Sequence, residues 1–188
     1  METAKEKIIF TLLLLATGVF YRFIPHPPNF SPVAAIALFG GFYYRKYWSA
    51  FLPLAILFFT DFFLGFYEIK IMLSVYASFA LIALIGIVVR KYKSLPTIIG
   101  GSLTGSLLFF LATNFAVWLF GNWYSHNLSG LANCFYMALP FFRNTLMGDL
   151  FFTSVFFGLY ELALYYYYSR SLGLKYNFAR RKLPNIYE

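Results

Sequence analysis

The chain has 188 residues, of which 61% are hydrophobic and only 12% are charged, and its mean hydropathy is +0.68. A folded chain of this size still exposes roughly a third of its surface, so a water-soluble fold would leave many apolar side chains in water. This composition excludes an ordinary soluble domain. The net charge of +8 comes from short clusters between apolar runs, which indicates membrane topology and not nucleic-acid binding.

Six apolar segments predict an all-α, polytopic transmembrane helix bundle that forms a single domain over residues 1–188. A helix needs roughly 20 apolar residues to cross a bilayer core of about 30 Å, and it satisfies its backbone hydrogen bonds internally. The second segment opens at Ser31 and Pro32, which suit the N-cap and the first helical position, and it is short for a full span. The predicted spans cover approximately residues 8–23, 32–44, 49–67, 71–89, 97–120 and 140–168.

Basic residues predict the orientation, because short cytoplasmic loops are enriched in Lys and Arg. With the N-terminus inside, twelve basic residues fall on the cytoplasmic side. Only Arg22 and Lys70 fall outside, and Arg143 lies within or near the last span. This distribution predicts six spans with the N-terminus and the C-terminus both cytoplasmic. The twelve residues are Lys5, Lys7, Arg45, Lys46, Arg90, Lys91, Lys93, Arg170, Lys175, Arg180, Arg181 and Lys182.

Ionisable residues inside the spans are candidates for a functional site, since each costs roughly 2.5–3.5 kcal/mol on insertion scales. Asp61 has no opposite charge nearby in its own span, so a group elsewhere must compensate it, and a pairing with Arg143 across the bundle is geometrically possible. Such a pair either fixes helix register or takes part in ligand binding. Asp149 follows Arg143 at a spacing that turns the two side chains in different directions. Glu161 is expected to reach water at the cytoplasmic end.

Two outer connections carry the remaining polar candidates. Residues 22–32 contain four prolines, so they cannot form one helix and predict a shaped lid or re-entrant segment. His26 and Asn29 lie there beside the second span, where free backbone donors favour an anionic or carbonyl group, or else these side chains only cap helix ends. Asn114 and Trp118 open the other connection, whose aromatic and polar residues fit either a small-molecule pocket or an interfacial aromatic belt.

Motifs for catalysis or metal binding are absent from the sequence. It has no Gly-rich phosphate loop, no His-Glu-Xaa-Xaa-His and no carboxylate pair at catalytic spacing on one helix. Cys134 is the only cysteine and is expected to be a small buried hydrophobe, so no metal or cofactor is predicted. Two small-xxx-small pairs, Gly101 with Gly105 and Ala37 with Gly41, predict close helix packing.

Three segments carry a family resemblance: residues 22–41, Asn-Phe-Ala-Val-Trp at residues 114–118, and residues 139–149. There the chain resembles a bacterial family of small membrane proteins without an assigned function. That family looks related to the substrate-binding S components of energy-coupling-factor (ECF) vitamin transporters. The resemblance implies a receptor in the bacterial cell (inner) membrane that passes a vitamin-like micronutrient inward with a transmembrane coupling subunit and ATPases. Ala34, Ala37 and Gly41 are the expected docking stripe for that subunit.

We therefore expect a non-catalytic substrate-binding component of a micronutrient uptake transporter, with its pocket in the outer half of the bundle. Its expected partners are the lipid bilayer, a small-molecule substrate and possible coupling subunits, with no nucleic acid and no cofactor. Two alternatives are a membrane enzyme or enzyme subunit acting on a lipid or prenyl substrate, and a structural assembly subunit whose charges pair only with a partner. The residues expected to bind substrate are Asn29, Asp61, Asn114, Trp118, Arg143 and Asp149.

Overall fold

The computed structural model describes the backbone of residues 4–44 and 46–172, and the side chains of residues 8–44 and 49–166. Within these residues the chain is all-helical, which confirms the predicted fold class. The helices are α1 (Ala4–Phe23), α2 (Val33–Tyr43), α3 (Lys46–Leu64), α4 (Ile69–Val89), α5 (Leu95–Phe120) and α6 (Leu128–Leu172).

Three of these helices, α4, α5 and α6, are long and apolar enough to cross a membrane. The apolar parts of the others are shorter: Ile8–Phe23, Val33–Tyr43 and Ser49–Leu64. Large apolar side chains are exposed along every helix except α2. An apolar exterior of this extent fits lipid as the surrounding medium, so the chain has the features of a membrane protein.

The predicted orientation rests mainly on side chains that the structure does not describe. Arg90, Lys91 and Lys93 lie together between α4 and α5, as expected for one loop on the predicted cytoplasmic side. The other nine predicted cytoplasmic residues have side chains that the structure does not describe. They are Lys5, Lys7, Arg45, Lys46, Arg170, Lys175, Arg180, Arg181 and Lys182.

Helix α2 is the centre of the bundle. Every residue from Val33 to Tyr43 is buried, and α2 contacts each of the other five helices. The outer helices follow one another around it in the order α1, α3, α4, α5 and α6. The ring closes between α6 and α1, where Phe10 meets Tyr160 with ring centroids 4.8 Å apart. A helix enclosed on all sides needs no polar face, which accounts for its uniformly apolar sequence.

The backbones of α2 and α4 are in direct contact at two glycines. A Cβ atom on Gly41 would lie 2.0 Å from the carbonyl oxygen of Ala83, and one on Gly86 would lie 2.3 Å from the carbonyl oxygen of Leu38. No side chain fits at either position, so the pair of glycines fixes how closely α2 and α4 approach.

Both predicted small-residue pairs pack inside the bundle, which confirms that part of the sequence analysis. Gly101 and Gly105 face side chains of α4, and Ala37 and Gly41 lie on α2. The expected docking stripe differs from the structure, because Ala34, Ala37 and Gly41 are all buried in the central helix. A separate subunit cannot contact them while the bundle is intact.

Helix α6 begins at Leu128, earlier than the predicted start at residue 140. The side-chain oxygen of Asn127 accepts a hydrogen bond from the backbone N–H of Gly130 at 2.8 Å and caps the first turn. Pro140 lies inside the helix, although proline is most often found at a helix start. With 45 residues, α6 is roughly 68 Å long, about twice the thickness of a bilayer core.

Candidate functional site

A cavity of about 260 Å³ lies at the N-terminal end of α2. The 11 residues of α2 extend only about 17 Å, so the helices around it continue beyond its first turn and enclose the space above it. Val33 and Ala34 form the floor of this cavity, and Leu57, Phe79 and Phe109 contribute apolar walls from α3, α4 and α5. Its polar lining consists of Arg22, His26, Asn29, Ser31, Tyr67, Thr145 and Asp149.

The first turn of α2 presents backbone donors to this cavity. Pro32 occupies the N-cap position expected for Ser31, and it offers no side-chain cap. The Ser31 hydroxyl lies 3.4 Å from the Val33 nitrogen, which is a long hydrogen bond. The N–H groups of Ala34 and Ala35 have no acceptor in the described part of the chain, although these residues are only 8% and 1% exposed. Buried backbone donors are almost always paired, so a bound molecule or water must satisfy them.

Arg22, in the last turn of α1, is oriented by two neighbouring residues of α3. Its Nη2 donates to Asp61 Oδ1 at 2.7 Å, and its Nη1 donates to the Thr60 hydroxyl at 2.5 Å. The Tyr76 hydroxyl donates to the other Asp61 oxygen at 2.9 Å, so both oxygens of this 2% exposed carboxylate are bonded. A guanidinium has five N–H donors, and the two used here leave three for the cavity that Arg22 lines.

The expected pairing of Asp61 with Arg143 is wrong. Arg143 is exposed and does not line the cavity, whereas Arg22 lies beside Asp61. Arg22 follows the first apolar run at the same predicted outer end, and that position is the signal that could have identified it. The sequence analysis counted Arg22 only as a basic residue on the outer side and did not consider it as a partner of Asp61.

Tyr67, in the connection between α3 and α4, adds a phenol to the cavity lining. Burial raises the pKa of Tyr67 to about 12; the Asp61 carboxylate adds to this shift and the Arg22 guanidinium opposes it. The phenol is therefore neutral at physiological pH. It can both donate and accept a hydrogen bond there.

Asp149 contributes a carboxyl group from α6. It is 3% exposed, and its only hydrogen bond among the described residues is with Ser106 Oγ at 2.6 Å. Ser106 Oγ also lies 3.1 Å from the carbonyl oxygen of Ser102. A hydroxyl has one hydrogen, so Ser106 either donates it to an ionised Asp149 or donates to Ser102 and accepts from a protonated Asp149. The second oxygen of Asp149 has no partner in the described chain.

The proline-rich segment borders the cavity and is fixed to α6. The Asn144 side chain donates to the Pro28 carbonyl at 3.0 Å, and a Cβ on Gly148 would lie 3.1 Å from the Ser31 nitrogen. Asn29 adopts a left-handed φ of 64°, which asparagine tolerates better than most residues. Residues 24–32 contain no α-helix, which confirms the prediction of a shaped, non-helical segment.

The structure brings some of the predicted binding residues together and places others elsewhere. Asn29 and Asp149 line the cavity, and Asp61 lies behind Arg22. Asn114, Trp118 and Arg143 do not line it. The sequence analysis missed four further lining residues, Arg22, Ser31, Tyr67 and Thr145, of which three carry hydroxyl groups that give no signal in an apolar sequence. The role of each residue in binding stays a prediction.

The residues around the α5–α6 connection form local contacts instead. The Asn114 amide donates to the Phe110 carbonyl one turn earlier, and Trp118 Nε1 donates to the Ser125 carbonyl at 3.1 Å. Cys134 is buried, as expected, with its sulfur 3.4 Å from the Asn114 carbonyl. In the described residues, no group of three or more His, Cys, Asp and Glu side chains could hold a metal ion.

Glu161 does not simply extend to water. Its carboxylate accepts a hydrogen bond from the Tyr43 hydroxyl at the other end of α2. This bond joins the C-terminal end of the central helix to α6, on the side away from the cavity.

Together, the fold and the site define an all-helical membrane-type bundle with a polar cavity above a short, buried central helix. The sequence matches the family of unknown function DUF6580 over residues 2–172, and the chain belongs to that family. No curated protein and no solved structure matches the chain.

Proposed function

We propose that this protein is a membrane-embedded receptor for a small polar solute. The observation that carries the proposal is the set of buried hydrogen-bonding groups without partners around one cavity, namely the first-turn N–H groups of α2 and one oxygen of Asp149. Lipid tails cannot satisfy such groups, and leaving them unsatisfied costs several kcal/mol. A polar solute satisfies them. Apolar walls with a few polar anchors are also typical of small-molecule sites.

The transport role follows from the predicted orientation and from the family resemblance. With the N-terminus cytoplasmic as predicted, α1 runs outward and carries Arg22 in its last turn, which puts the cavity in the outer half of the bundle. The hypothesis that this family is related to the S components of ECF transporters leads us to propose the substrate-binding component of a micronutrient uptake transporter in the bacterial cell membrane. A coupling subunit would have to contact the outer faces of the five surrounding helices, because α2 is enclosed.

Both alternative functions have less support from the site. An enzyme that acts on a lipid or prenyl group through a pair of carboxyl groups has less support, because both oxygens of Asp61 are already bonded. A structural subunit whose charges pair only with a partner is opposed by the Arg22–Asp61 ion pair, which forms within the chain.

The proposal is tested by measuring which small molecules the purified protein retains. Protein in lipid nanodiscs is equilibrated with a panel of vitamins and vitamin precursors and with a cell extract, and retained molecules are identified by mass spectrometry. Ala34→Leu places apolar volume on the cavity floor and is expected to weaken retention by roughly tenfold or more. Ala163→Leu, on the exposed face of α6, is the matched control and should retain the same molecules. A folded wild-type protein that retains nothing would refute the receptor function.

A further inference from the structure

One part of the cavity is rich in hydrogen-bond donors. Three N–H groups of Arg22 and the N–H of Ala34 have no acceptor in the part of the chain that the structure describes. The N-terminus of α2 adds roughly half a positive charge beside the guanidinium, whose own charge is balanced by Asp61. Backbone donors and a guanidinium together form a site suited to a carboxylate or another oxyanion.

Asp149 supplies the opposite chemistry. Its free oxygen is buried, and no basic side chain among the described residues is bonded to it. Arg22, the cation that lines the same cavity, is already engaged by Asp61 and Thr60. An unpaired buried carboxylate is costly, so an ammonium or amidinium group on a ligand would stabilise it.

The charges around the cavity are of both signs. Arg22 and Asp61 neutralise each other, and the partial positive charge of the α2 N-terminus offsets about half of the charge of an ionised Asp149. A solute with a net charge would leave one charge uncompensated in a region of low dielectric constant. A zwitterion would instead offer one group of each sign to the site.

We infer that the solute is a small zwitterion, whose anionic group binds Arg22 and the first turn of α2 and whose cationic group binds Asp149. This inference rests on the proposed receptor function and specifies its substrate class. The cavity volume of about 260 Å³ equals that of roughly nine water molecules, which corresponds to a solute of roughly ten non-hydrogen atoms. Phe79 and Phe109, which also line the cavity, offer apolar surface to a hydrocarbon or ring segment of the solute. A zwitterion of this size does not cross lipid unaided, so a receptor is useful to the cell.

The test is a competition among four classes of small molecule matched in size. The library contains zwitterions (α- and ω-amino acids and betaines), monocarboxylates, primary amines and neutral amides in equal concentration. Wild-type protein in nanodiscs is equilibrated with this library, and the retained compounds are quantified by mass spectrometry. Zwitterions are expected to be retained over their matched carboxylates and amines by roughly tenfold or more. This selectivity is measured on the wild-type protein, so it does not depend on the folding of any variant.

Two variants test which side chains bind the anionic group and the cationic group of the ligand. Asp149→Asn keeps the contact with Ser106 but removes the charge, and it should bind zwitterions no better than the matched monocarboxylates. Arg22→Gln combined with Asp61→Asn removes both members of the ion pair, so neither charge is left without its partner, and it should lose the carboxylate preference while retaining amines. Lys91→Gln, at an exposed position in the connection between α4 and α5, is the control for the loss of one cation and should match the wild type.

The outcomes separate this inference from the proposed function. If the wild type retains monocarboxylates, amines or neutral amides in preference to zwitterions, the substrate class is wrong and the receptor function stands. Zwitterion binding that is unchanged in folded Asp149→Asn protein would likewise overturn the assigned cationic subsite. If neither this library nor the vitamin panel yields any retained compound, the receptor function itself is refuted.

Discussion

Removing Arg22 alone is expected to destabilise the protein more than removing both members of its ion pair. Arg22→Gln leaves the 2% exposed Asp61 carboxylate with only the Tyr76 hydroxyl as a partner. At 2.7 Å, the attraction between two unit charges is about 6 kcal/mol for an effective dielectric constant of 20, and desolvation offsets much of it. Breaking a buried pair on one side typically costs about 3–5 kcal/mol, so we expect a loss of about 3 kcal/mol from Arg22→Gln.

The double variant Arg22→Gln with Asp61→Asn is expected to lose only about 1 kcal/mol, because two neutral amides replace the two charges and can bond each other. The assay is reversible unfolding in mixed micelles with increasing sodium dodecyl sulfate, followed by circular dichroism. In a double-mutant cycle, the two substitutions should couple by at least about 2 kcal/mol.

Arg143 provides the control that distinguishes the two possible partners of Asp61. The substitutions Arg143→Gln and Asp61→Asn should add to within about 0.5 kcal/mol, since the structure places Arg143 on the exposed side of α6. Additive effects of Arg22→Gln and Asp61→Asn, together with strong coupling to Arg143, would refute the ion pair on which the cavity lining depends.

Two further predictions concern the packing and the ends of the helices. Gly86→Ala is expected to cost about 3 kcal/mol, because its Cβ would lie 2.3 Å from the Leu38 carbonyl, whereas Gly100→Ala meets nothing within 4 Å and should stabilise by about 0.5–1 kcal/mol. Thermal unfolding in detergent measures both, and equal effects would contradict the close approach of α2 and α4. Asn127→Ala should cost about 1 kcal/mol and speed hydrogen exchange at Gly130, since it removes the cap of α6. Unchanged exchange there would place the start of α6 elsewhere.

The fold class and most helix positions could be predicted from the sequence, because long apolar runs have few structures available to them in lipid. The predicted second span at residues 32–44 agrees with Val33–Tyr43 in the structure to within one residue at each end. The predicted fifth span at residues 97–120 begins two residues after the observed start of Leu95–Phe120 and ends at the same residue. The start of α6 was placed late because Pro140 fits a helix start well. The polar residues before it, which suggested a loop, are instead accommodated in a long helix capped by Asn127.

The pairing of side chains between helices could not be predicted in the same way. Hydropathy gives the depth of Asp61 in its span but not its direction, and both Arg22 and Arg143 lie at a suitable depth. Which arginine reaches Asp61 depends on the position of α1 beside α3, and that arrangement results from the packing of both helices around α2. Likewise, the small residues of α2 indicated a contact surface correctly, but the sequence does not show that the surface faces the interior.

The shortness of α2 has a consequence for the depth at which a solute would rest. If α2 reaches from one membrane surface, its length of about 17 Å ends near the middle of a 30 Å hydrocarbon core, so a molecule on its first turn has already travelled about half of the way. That is the depth at which lipid opposes polar groups most strongly.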